Sequence, residues 1–206
     1  MIHGLILDYG KVLCQGPLPD RIAWMADALT LDRETFAARW EEERGPYDRG
    51  DIGHREYWSR VAAGSVDLDD ELIGRLRQWD VEMWSDVDRA MTAWVDRVHE
   101  AGFKTALLSN MHDDMAAHAR RTFGWLARMD SVTISCEVRL AKPERAIYER
   151  CLEGIALRPE EVLFIDDREA NVQAAREAGL WALRFESAEQ LRADLKGLGF
   201  PVLPAE

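Results

Sequence analysis

The sequence has no long hydrophobic run, and this argues against a protein with a membrane-spanning helix. No apolar stretch approaches the ~18 residues that a membrane-spanning helix needs. A short apolar segment runs directly into Asp8, without the basic region, long apolar region or cleavage site of a secretory signal. We therefore expect a cytoplasmic protein without a membrane partner.

Positive charge is scarce. The 206 residues include 26 Lys and Arg against 38 Asp and Glu, which gives a formal net charge of -12, and the basic residues form no cluster. A nucleic-acid-binding protein normally presents a basic face, so we expect no nucleic-acid partner. An anionic substrate gains nothing from the overall charge and must be held by local positive groups.

Cysteine is rare as well. Cys14, Cys136 and Cys151 are an odd number, lie far apart and show no CxxC spacing. This pattern is typical of reduced thiols and argues against a disulfide framework or a zinc site.

The sequence does contain a regular alternation of short apolar runs and amphipathic segments. The apolar runs predict buried parallel strands at Gly4–Leu7, Thr105–Leu108, Val132–Ser135, Glu161–Ile165 and Trp181–Phe185. Helical patterns lie at Ala90–Ala101, Asp113–Phe123, Pro143–Gly154, Glu169–Ala178 and Ala188–Lys196. Such an alternation predicts an α/β fold with a parallel sheet that helices cover on both faces.

Residues 16–88 break this alternation. They contain helical patterns separated by predicted turns at Gly45-Pro46, Gly50-Asp51 and Gly64-Ser65, and no convincing strand. The patterns lie at Arg21–Leu29, Arg33–Glu43, Arg55–Ala63 and Asp69–Trp79. We therefore predict a core formed by residues 1–15 and 89–206, with residues 16–88 inserted as a small all-α domain.

Four of the predicted strands are followed by polar residues that can carry chemistry. These residues are Asp8, Ser109, Lys142 and the pair Asp166-Asp167. In an open parallel sheet, ligands bind at the carboxyl ends of the strands. Each residue alone could have an ordinary structural role. Their shared position after predicted strands makes the pattern informative.

Asp8 and Ser109 follow the first and second strands. Asp8 is expected to be ionised at neutral pH, because the reference pKa of Asp is about 3.9, and a carboxylate can attack phosphorus to give an aspartyl-phosphate. The hydroxyl of Ser109 and the N–H groups of the following helix can bind phosphate oxygens. The alternatives are a capping Asp in a tight turn and a serine that caps the helix.

Lys142 and the pair Asp166-Asp167 complete the pattern. Lys142 lies just before a helix that Pro143 opens, and its ammonium group would neutralise a carboxylate and a phosphate together. Two adjacent carboxylates suit Mg²⁺, which prefers oxygen ligands. A solvated lysine and a helix-capping Asp167 are the alternatives, but the second leaves Asp166 unexplained. Asn171, five residues after Asp166, can hydrogen-bond into this loop.

The order of these residues resembles the four motifs of the haloacid dehalogenase (HAD)-like hydrolases, and the resemblance covers essentially the whole chain. It implies a Rossmann-like HAD core with a parallel sheet in residues 1–15 and 89–206, and a helical-bundle cap in residues 16–88. It also implies a Mg²⁺-dependent phosphatase, a phosphoric monoester hydrolase. Such an enzyme acts on a small phosphorylated metabolite through an aspartyl-phosphate.

The resemblance assigns a role to each residue. The catalytic residues are Asp8 (the nucleophile) and Lys142; the phosphate-binding residues are Ser109, Asn110 and Lys142; the metal ligands are Asp8, Gly10 through its carbonyl, Asp166 and Asp167. Of the adjacent pair we favour Asp166 as a direct metal ligand, with Asp167 bound directly or through water.

Gly10 departs from the pattern of the family. Most phosphatases of this superfamily have a second aspartate there, which serves as general acid and base. Such a group typically contributes about 10²–10⁴-fold to the rate. Anomeric sugar phosphates and acyl phosphates tolerate its absence best, because their leaving groups need little protonation. Similar Asp-x-Gly motifs occur in a branch that resembles glucose-1-phosphate phosphatases, so we expect a sugar 1-phosphate as the substrate.

Gly10 also keeps two other functions open. Hydrolytic 2-haloacid dehalogenases share the fold and the Asp nucleophile, need no metal and lack the second aspartate. In such an enzyme Asp166 and Asp167 would only repel the nucleophile, which argues against it. The other alternative is a weakly catalytic or non-catalytic protein that binds phosphorylated metabolites.

The predicted cap contains three candidate substrate contacts, Trp40, Tyr47 and Arg49. An aromatic ring can stack on a sugar face, and an arginine can bind a phosphate or hydroxyl group. The alternative is that Trp40 packs the helices and Arg49 is solvated. We expect His112 at the surface, and the sequence does not indicate an oligomeric state. The remaining tryptophans with helical spacing indicate core or interface positions, and they are Trp24, Trp58, Trp79, Trp84 and Trp94.

Overall fold

A five-stranded parallel sheet forms the centre of the structure, a computed structural model that describes residues 1–205. Its strands lie in the order β3-β2-β1-β4-β5, and each neighbouring pair is parallel. The strands are β1 (Gly4–Leu7), β2 (Lys104–Ser109), β3 (Ser131–Ile134), β4 (Val162–Asp166) and β5 (Trp181–Arg184). The predicted α/β fold is confirmed.

Helices precede and follow the strands of this sheet. They are α1 (Pro19–Ala28), α2 (Arg33–Glu42), α3 (Arg44–Arg49), α4 (His54–Ala62), α5 (Asp70–Met83), α6 (Arg89–Glu100), α7 (Asp113–Thr122), α8 (Ser135–Val138), α9 (Arg145–Ile155), α10 (Glu169–Glu177) and α11 (Ala188–Gly197). Short 3-10 helices lie at Gly124–Arg128 and Pro159–Glu161. Within residues 1–205, none of the helices combines the length and the apolar character needed to cross a bilayer.

The central strand β1 is buried on both faces. All four of its residues are buried, as a continuously apolar strand in a parallel sheet requires. Because side chains alternate between the faces of a strand, Leu5 and Leu7 pack in a cluster with residues of α6, α7 and α11. Ile6 points the other way and packs with residues of α9 and α10. Helices therefore cover both faces of the sheet.

The register of the central strands brings polar residues to one edge of the sheet. Leu7 pairs with Leu107 of β2 on one side and with Ile165 of β4 on the other. The next residue along β1 is Asp8, and the next along β4 is Asp166. These two carboxylates therefore emerge from neighbouring strands at the carboxyl edge.

The helices α1–α5 lie between β1 and β2 in the chain and share a core of their own. This core includes Met25, Phe36, Tyr57, Trp58 and Leu76. The chain enters and leaves the helical segment side by side, since Cys14 and Val87 form an isolated antiparallel bridge. Next to it, the N–H of Asp88 donates a 2.8 Å hydrogen bond to the carbonyl of Leu13.

Helix α3 was not predicted, because Gly45-Pro46 indicated only a turn. Pro46 lies in the first turn of α3, where backbone N–H groups have no intrahelical partner, so its missing N–H costs no hydrogen bond. Gly50 ends the helix in the left-handed conformation, at φ 80°. A smaller difference concerns Ser135, which was predicted in the third strand and instead begins α8.

We expect the helical core to contribute substantially to stability through Trp58. Trp58 is 0% exposed, whereas Trp24 in the same segment is 44% exposed. The substitution Trp58→Ala should lower the free energy of unfolding by about 3–5 kcal/mol, the usual cost of removing a large buried aromatic ring. The matched variant Trp24→Ala should lose less than half of that. Urea unfolding followed by circular dichroism measures both, and equal losses would contradict the assignment.

Candidate active site

The ammonium group of Lys142 joins two of the predicted site residues. Its Nζ lies 2.7 Å from Oδ1 of Asp8 and 2.7 Å from Oδ2 of Asp166. Lys142 is only 5% exposed. Burial disfavours its charge, but the two carboxylates more than offset this and raise the pKa of Lys142 above its ordinary value. A permanent positive charge is therefore buried between Asp8 and Asp166.

Asn110 holds the backbone of Lys142. The N–H of Lys142 donates to Oδ1 of Asn110 at 2.8 Å, and Nδ2 of Asn110 donates to the carbonyl of Lys142 at 2.9 Å. The side-chain amide of Asn110 is thus occupied by the lysine backbone, while Asn110 still lines the cavity, and its contact with phosphate stays a prediction. Ser109 differs, since its hydroxyl lies 3.5 Å from the nearest acceptor, the carbonyl of Asn110. This distance is too long for a strong hydrogen bond, so the hydroxyl is available to a ligand.

Both oxygens of Asp166 accept hydrogen bonds. Its Oδ1 accepts from the N–H of Arg168 at 2.8 Å and from Nδ2 of Asn171 at 3.0 Å. Its Oδ2 accepts from Lys142 at 2.7 Å and from the same Asn171 group at 3.0 Å. Three donor groups therefore engage both oxygens of Asp166, with Nδ2 of Asn171 shared between them. The preference for Asp166 over Asp167 as the direct metal ligand is therefore revised, while the hydrogen bond predicted for Asn171 is present.

Three carboxylates converge beside Lys142. One oxygen from each of Asp8, Asp166 and Asp167 lies within 4.8 Å of the others. Burial raises the pKa of Asp8 to about 6, with Lys142 lowering it and the two neighbouring carboxylates raising it further. Asp167 is half-buried, and its Oδ2 lies 3.5 Å from Nζ of Lys11. Crowded oxygen ligands of this kind fit a hard divalent cation such as Mg²⁺, which would relieve their mutual repulsion.

A cavity of about 430 Å³ lies over these residues. Its lining combines the strand ends with residues of α2, α3 and the end of α5. The lining residues are Asp8, Tyr9, Gly10, Lys11, Pro17, Trp40, Glu41, Glu42, Arg44, Gly45, Asp48, Trp84, Ser109, Asn110, Met111, Met115, Lys142, Pro143, Asp167, Arg168, Ala170 and Asn171. The helical segment and the sheet edge therefore share one ligand-sized cavity.

The indole of Trp84 covers the position where a side chain at residue 10 would extend. A Cβ atom added to Gly10 would lie 3.6 Å from Cζ3 of Trp84 and 3.9 Å from Oδ2 of Asp8. The ring of Trp84 is nearly parallel to that of Trp40, with 6.3 Å between the centroids. The hydroxyl of Tyr9 also donates a hydrogen bond to the carbonyl of Trp84. Helical spacing alone had indicated only a core or interface position for Trp84.

Of the candidate cap contacts, only Trp40 lines the cavity. Tyr47 is buried among aromatic rings and stacks on Tyr57 at 4.2 Å between centroids. Arg49 forms ion pairs with Asp51 and Glu144 outside the cavity lining. The structure does not bring Tyr47 and Arg49 to the cavity lining, because the helix α3 directs their side chains elsewhere.

The same helix sends two other residues to the cavity, Arg44 and Asp48, which sequence reasoning missed. They lie four residues apart, on one side of α3, and Nε of Arg44 donates to Oδ1 of Asp48 at 3.0 Å. Nη1 of Arg44 lies 2.9 Å from both oxygens of Asp80 on α5. The only available signal was the i,i+4 pairing of opposite charges, and Gly45-Pro46 obscured it.

His112, at the start of α7, lies beside the cluster formed by Arg44, Asp48 and Asp80. It is 0% exposed, which corrects the expectation of a surface histidine, and its Nε2 lies 3.2 Å from Oδ2 of Asp80. Burial lowers the pKa of His112 well below its ordinary value, and Arg44 and Arg77 lower it further, so the ring is neutral. The start of α7 therefore contacts the helical segment through a fully buried polar pair.

Two solved structures share this fold. A HAD family enzyme from Bacteroides thetaiotaomicron is 21% identical, with a TM-score of 0.75, and the match covers 90% of this chain and 94% of that one. L-2-haloacid dehalogenase from Xanthobacter autotrophicus, with chloropropionic acid covalently bound, is 19% identical, with a TM-score of 0.69. That match covers 99% of this chain and 85% of the dehalogenase. At these identities the similarity supports the fold alone.

Curated relatives match over part of their length. Acyl-CoA dehydrogenase family member 10 of Mus musculus is 30% identical over 115 residues, which are 54% of this chain and 10% of that protein. Flavin mononucleotide hydrolase 1 of Arabidopsis thaliana is 27% identical over 164 residues, which are 72% of this chain and 64% of that protein. The chain thus spans less than two thirds of either relative.

A family model described as haloacid dehalogenase-like hydrolase matches residues 22–179, which is more than half of the chain. The matched range includes Ser109, Lys142 and Asp166 and begins after Asp8. The position of Asp8 in the site therefore rests on its contact with Lys142 and its place after β1. Fold and family model agree, and the chain belongs to the haloacid dehalogenase-like hydrolases.

Proposed function

We propose that this protein is a Mg²⁺-dependent phosphohydrolase that acts on a small phosphorylated metabolite through an aspartyl-phosphate on Asp8. The observation that carries the proposal is the ammonium group of Lys142, which lies 2.7 Å from both Asp8 and Asp166 beneath a 430 Å³ cavity. A buried cation beside a nucleophilic carboxylate attracts a phosphate and stabilises the charge that develops during its transfer.

Each group around Asp8 has a defined task in this reaction. Asp8 attacks the phosphorus, and Lys142 binds a phosphate oxygen while it holds Asp8 in position. The free hydroxyl of Ser109 donates to a second phosphate oxygen. Asn110 acts through Lys142, whose backbone it fixes on both sides. Asp166 also acts indirectly, because its hydrogen bonds orient Lys142.

Asp8, Asp167 and the carbonyl of Gly10 would hold the magnesium ion. Bound Mg²⁺ supplies a Lewis acid that neutralises phosphoryl oxygens. The second oxygen of Asp8 and the position of Asp167 in the cavity lining support this assignment, since both oxygens of Asp166 already accept hydrogen bonds. A HAD family enzyme from Bacteroides thetaiotaomicron has been solved in complex with magnesium and inorganic phosphate, which gives further support.

Residues 16–88 form the cap domain in this proposal, and residues 1–15 and 89–206 form the catalytic core. The support lies in the cavity, whose lining includes Trp40, Arg44 and Asp48 from the helical segment and Lys142 from the core. A lid in this place excludes water while the phosphoryl group is transferred and positions the rest of the substrate. We expect no nucleic-acid or membrane partner.

We propose a sugar 1-phosphate as the substrate. In such a compound the ring is joined to phosphate through a single oxygen, so we expect the ring to lie beside Trp84, which lines the cavity next to Gly10. Aromatic rings commonly pack against the apolar face of a sugar. A sugar 6-phosphate places one additional methylene between the ring and the phosphate and moves the ring away from Trp84.

A 2-haloacid dehalogenase is the second candidate. The observation in its favour is Gly10, since no carboxylate lies at that position to protonate a leaving group, and a halide needs no proton. Against it stands the crowding of Asp166 and Asp167 around Asp8, because a metal-independent displacement gains nothing from repelling its own nucleophile.

Replacing the nucleophile provides the first test. Asp8→Asn keeps the size of the side chain but removes its nucleophilic oxygen, so hydrolysis of 4-nitrophenyl phosphate with Mg²⁺ should fall to background. Wild-type protein should form a beryllofluoride adduct on Asp8, and Asp8→Asn should not. The control Asp27→Asn, at an exposed position of α1, should behave like wild type. An Asp8→Asn variant that keeps a tenth of the activity would contradict the proposal.

Removal of the metal separates the two candidate functions. Phosphatase activity should disappear with EDTA and return with Mg²⁺. Asp167→Asn should raise the Mg²⁺ concentration for half-maximal activity at least about tenfold, since even residues that only support a metal ligand contribute about 10–100-fold. Hydrolysis of a 2-haloacid that survives EDTA, without phosphatase activity, would favour the dehalogenase.

The position of Trp84 predicts which sugar phosphates are hydrolysed. Glucose 1-phosphate should be preferred over glucose 6-phosphate by about tenfold or more in kcat/KM, an amount that misplacement of the reacting group by one methylene readily produces. Trp84→Ala should reduce this preference while 4-nitrophenyl phosphate is still hydrolysed. A preference for the 6-phosphate by orders of magnitude would exclude the 1-phosphate proposal.

A further inference from the structure

Position 10 offers no proton donor, and Trp84 covers the space beside it. We propose, building on the phosphohydrolase function, that Asp48 is the general acid and base of the reaction. It is a catalytic residue supplied by the helical segment in place of the missing aspartate. Asp48 would protonate the leaving-group oxygen, a task that neither Lys142 nor Asp8 has in the proposed reaction.

Among the carboxyl groups that line the cavity, Asp48 is the remaining candidate for the proton donor. Asp8 and Asp167 belong to the nucleophile and the cation site. Glu41 is exposed and pairs with Arg168 at 2.7 Å, and Glu42 is exposed to solvent. Asp48 is buried and still reaches the cavity.

The backbone of Asp48 is tied to the proposed phosphate-binding segment. Its carbonyl oxygen accepts a 2.5 Å hydrogen bond from Oγ of Ser135. The same Oγ accepts a 2.8 Å hydrogen bond from the N–H of Met111, two residues after Ser109. Asp48 is therefore anchored close to the segment that would hold the phosphate, on the part of the cavity wall formed by α3.

The surroundings of Asp48 favour a bound proton. Asp48 and Asp80 share one guanidinium, that of Arg44, and His112 on the far side of Asp80 is neutral, so this pair of buried carboxyl groups favours a shared proton, and burial raises the pKa of Asp80 as well as that of Asp48. Asp80 uses both oxygens on Nη1 of Arg44, whereas Asp48 uses only Oδ1 on Nε. Within residues 1–205, no hydrogen bond is donated to Oδ2 of Asp48. That oxygen is free to carry a proton, and Asp48 lines the cavity.

The pKa of Asp48 agrees with this geometry. Burial raises it to about 6, Arg44 lowers it, Asp80 raises it and Arg168 lowers it. A group with such a pKa can both give and take a proton near neutral pH.

The proposed proton transfers balance over two steps. In the first, an oxygen of Asp8 bonds to phosphorus, the bond from phosphorus to the leaving oxygen breaks, and the proton of Asp48 moves to that oxygen. In the second, water attacks the phosphorus of the aspartyl-phosphate, and the Asp48 carboxylate takes the proton of that water. The bond between Asp8 and phosphorus then breaks, inorganic phosphate leaves, and Asp48 is again protonated.

The test compares leaving groups of different basicity. Asp48→Asn keeps the shape of the side chain and an oxygen that can accept from Arg44. For alkyl phosphates, whose leaving groups need a proton, kcat/KM should fall by about 10²–10⁴-fold. For 4-nitrophenyl phosphate, whose leaving group needs none, it should fall much less. A plot of log kcat/KM against the leaving-group pKa should therefore be steeper than for wild type. Asp51→Asn, an exposed acid paired with Arg49 outside the cavity lining, should leave the slope unchanged.

Two further measurements separate this role from a structural one. Asp48→Asn should still form the beryllofluoride adduct on Asp8 and unfold at a temperature close to that of wild type. Should it fail to fold, Asp48→Ser removes the acid with a smaller side chain and is measured in the same way. A loss that is equal for all leaving groups, or no loss, would overturn the role of Asp48 and leave the phosphohydrolase intact. Absence of turnover by wild type on every phosphate would overturn both.

Discussion

One buried ammonium group determines how the rest of the site is arranged. Lys142 contacts Asp8 and Asp166, and neither carboxylate could be buried at low cost without it, because an unpaired buried charge is strongly unfavourable. The parallel pairing of β1 and β4 brings the two carboxylates together, and Asn110 fixes the backbone of the lysine. The charges remain unbalanced, since three carboxylates surround this centre, and the imbalance is the physical reason to expect a divalent cation.

The sequence was sufficient for the sheet and for the convergence of the site. Continuous apolar runs identify buried strands whatever surrounds them, and residues after parallel strands must meet at one edge. The proximity of Asp8 and Asp166 is therefore predictable from the order of residues alone. The separate roles of the two carboxylates are not predictable from that order, because they depend on which donors reach each oxygen. The hydrogen bonds to Asp166 come from Lys142, Asn171 and a backbone N–H.

The helical segment was predicted less well for a related reason. Its helices follow from their periodicity, but the direction of each side chain depends on whether a short stretch is helical. Because Gly45-Pro46 was interpreted as a turn, the directions of four nearby side chains were not predicted. These are Arg44, Tyr47, Asp48 and Arg49. The approach of Trp84 to Gly10 was also hidden, since residues 74 positions apart meet only through the packing of the segment on the core. Buried aromatic residues are recognisable in a sequence, whereas the atoms they approach are not.

The residues proposed for catalysis belong to two buried charge clusters, one in the core and one in the helical segment. Their relative position therefore depends on how the segment packs on the core. Lys142 contacts Asp8 in the core, whereas Arg44 contacts Asp48 and Asp80 in the segment. Near the site, Ser135 of the core donates a hydrogen bond to the backbone carbonyl of Asp48, and the neutral ring of His112 lies 3.2 Å from Asp80 without a hydrogen bond to it. In the proposed reaction, the proton donor and the nucleophile therefore face each other only while these contacts hold. A general acid at residue 10 would belong to the strand end itself, whereas an acid on α3 depends on how the helical segment packs against the core, so in the proposed reaction the proton transfer depends on that packing.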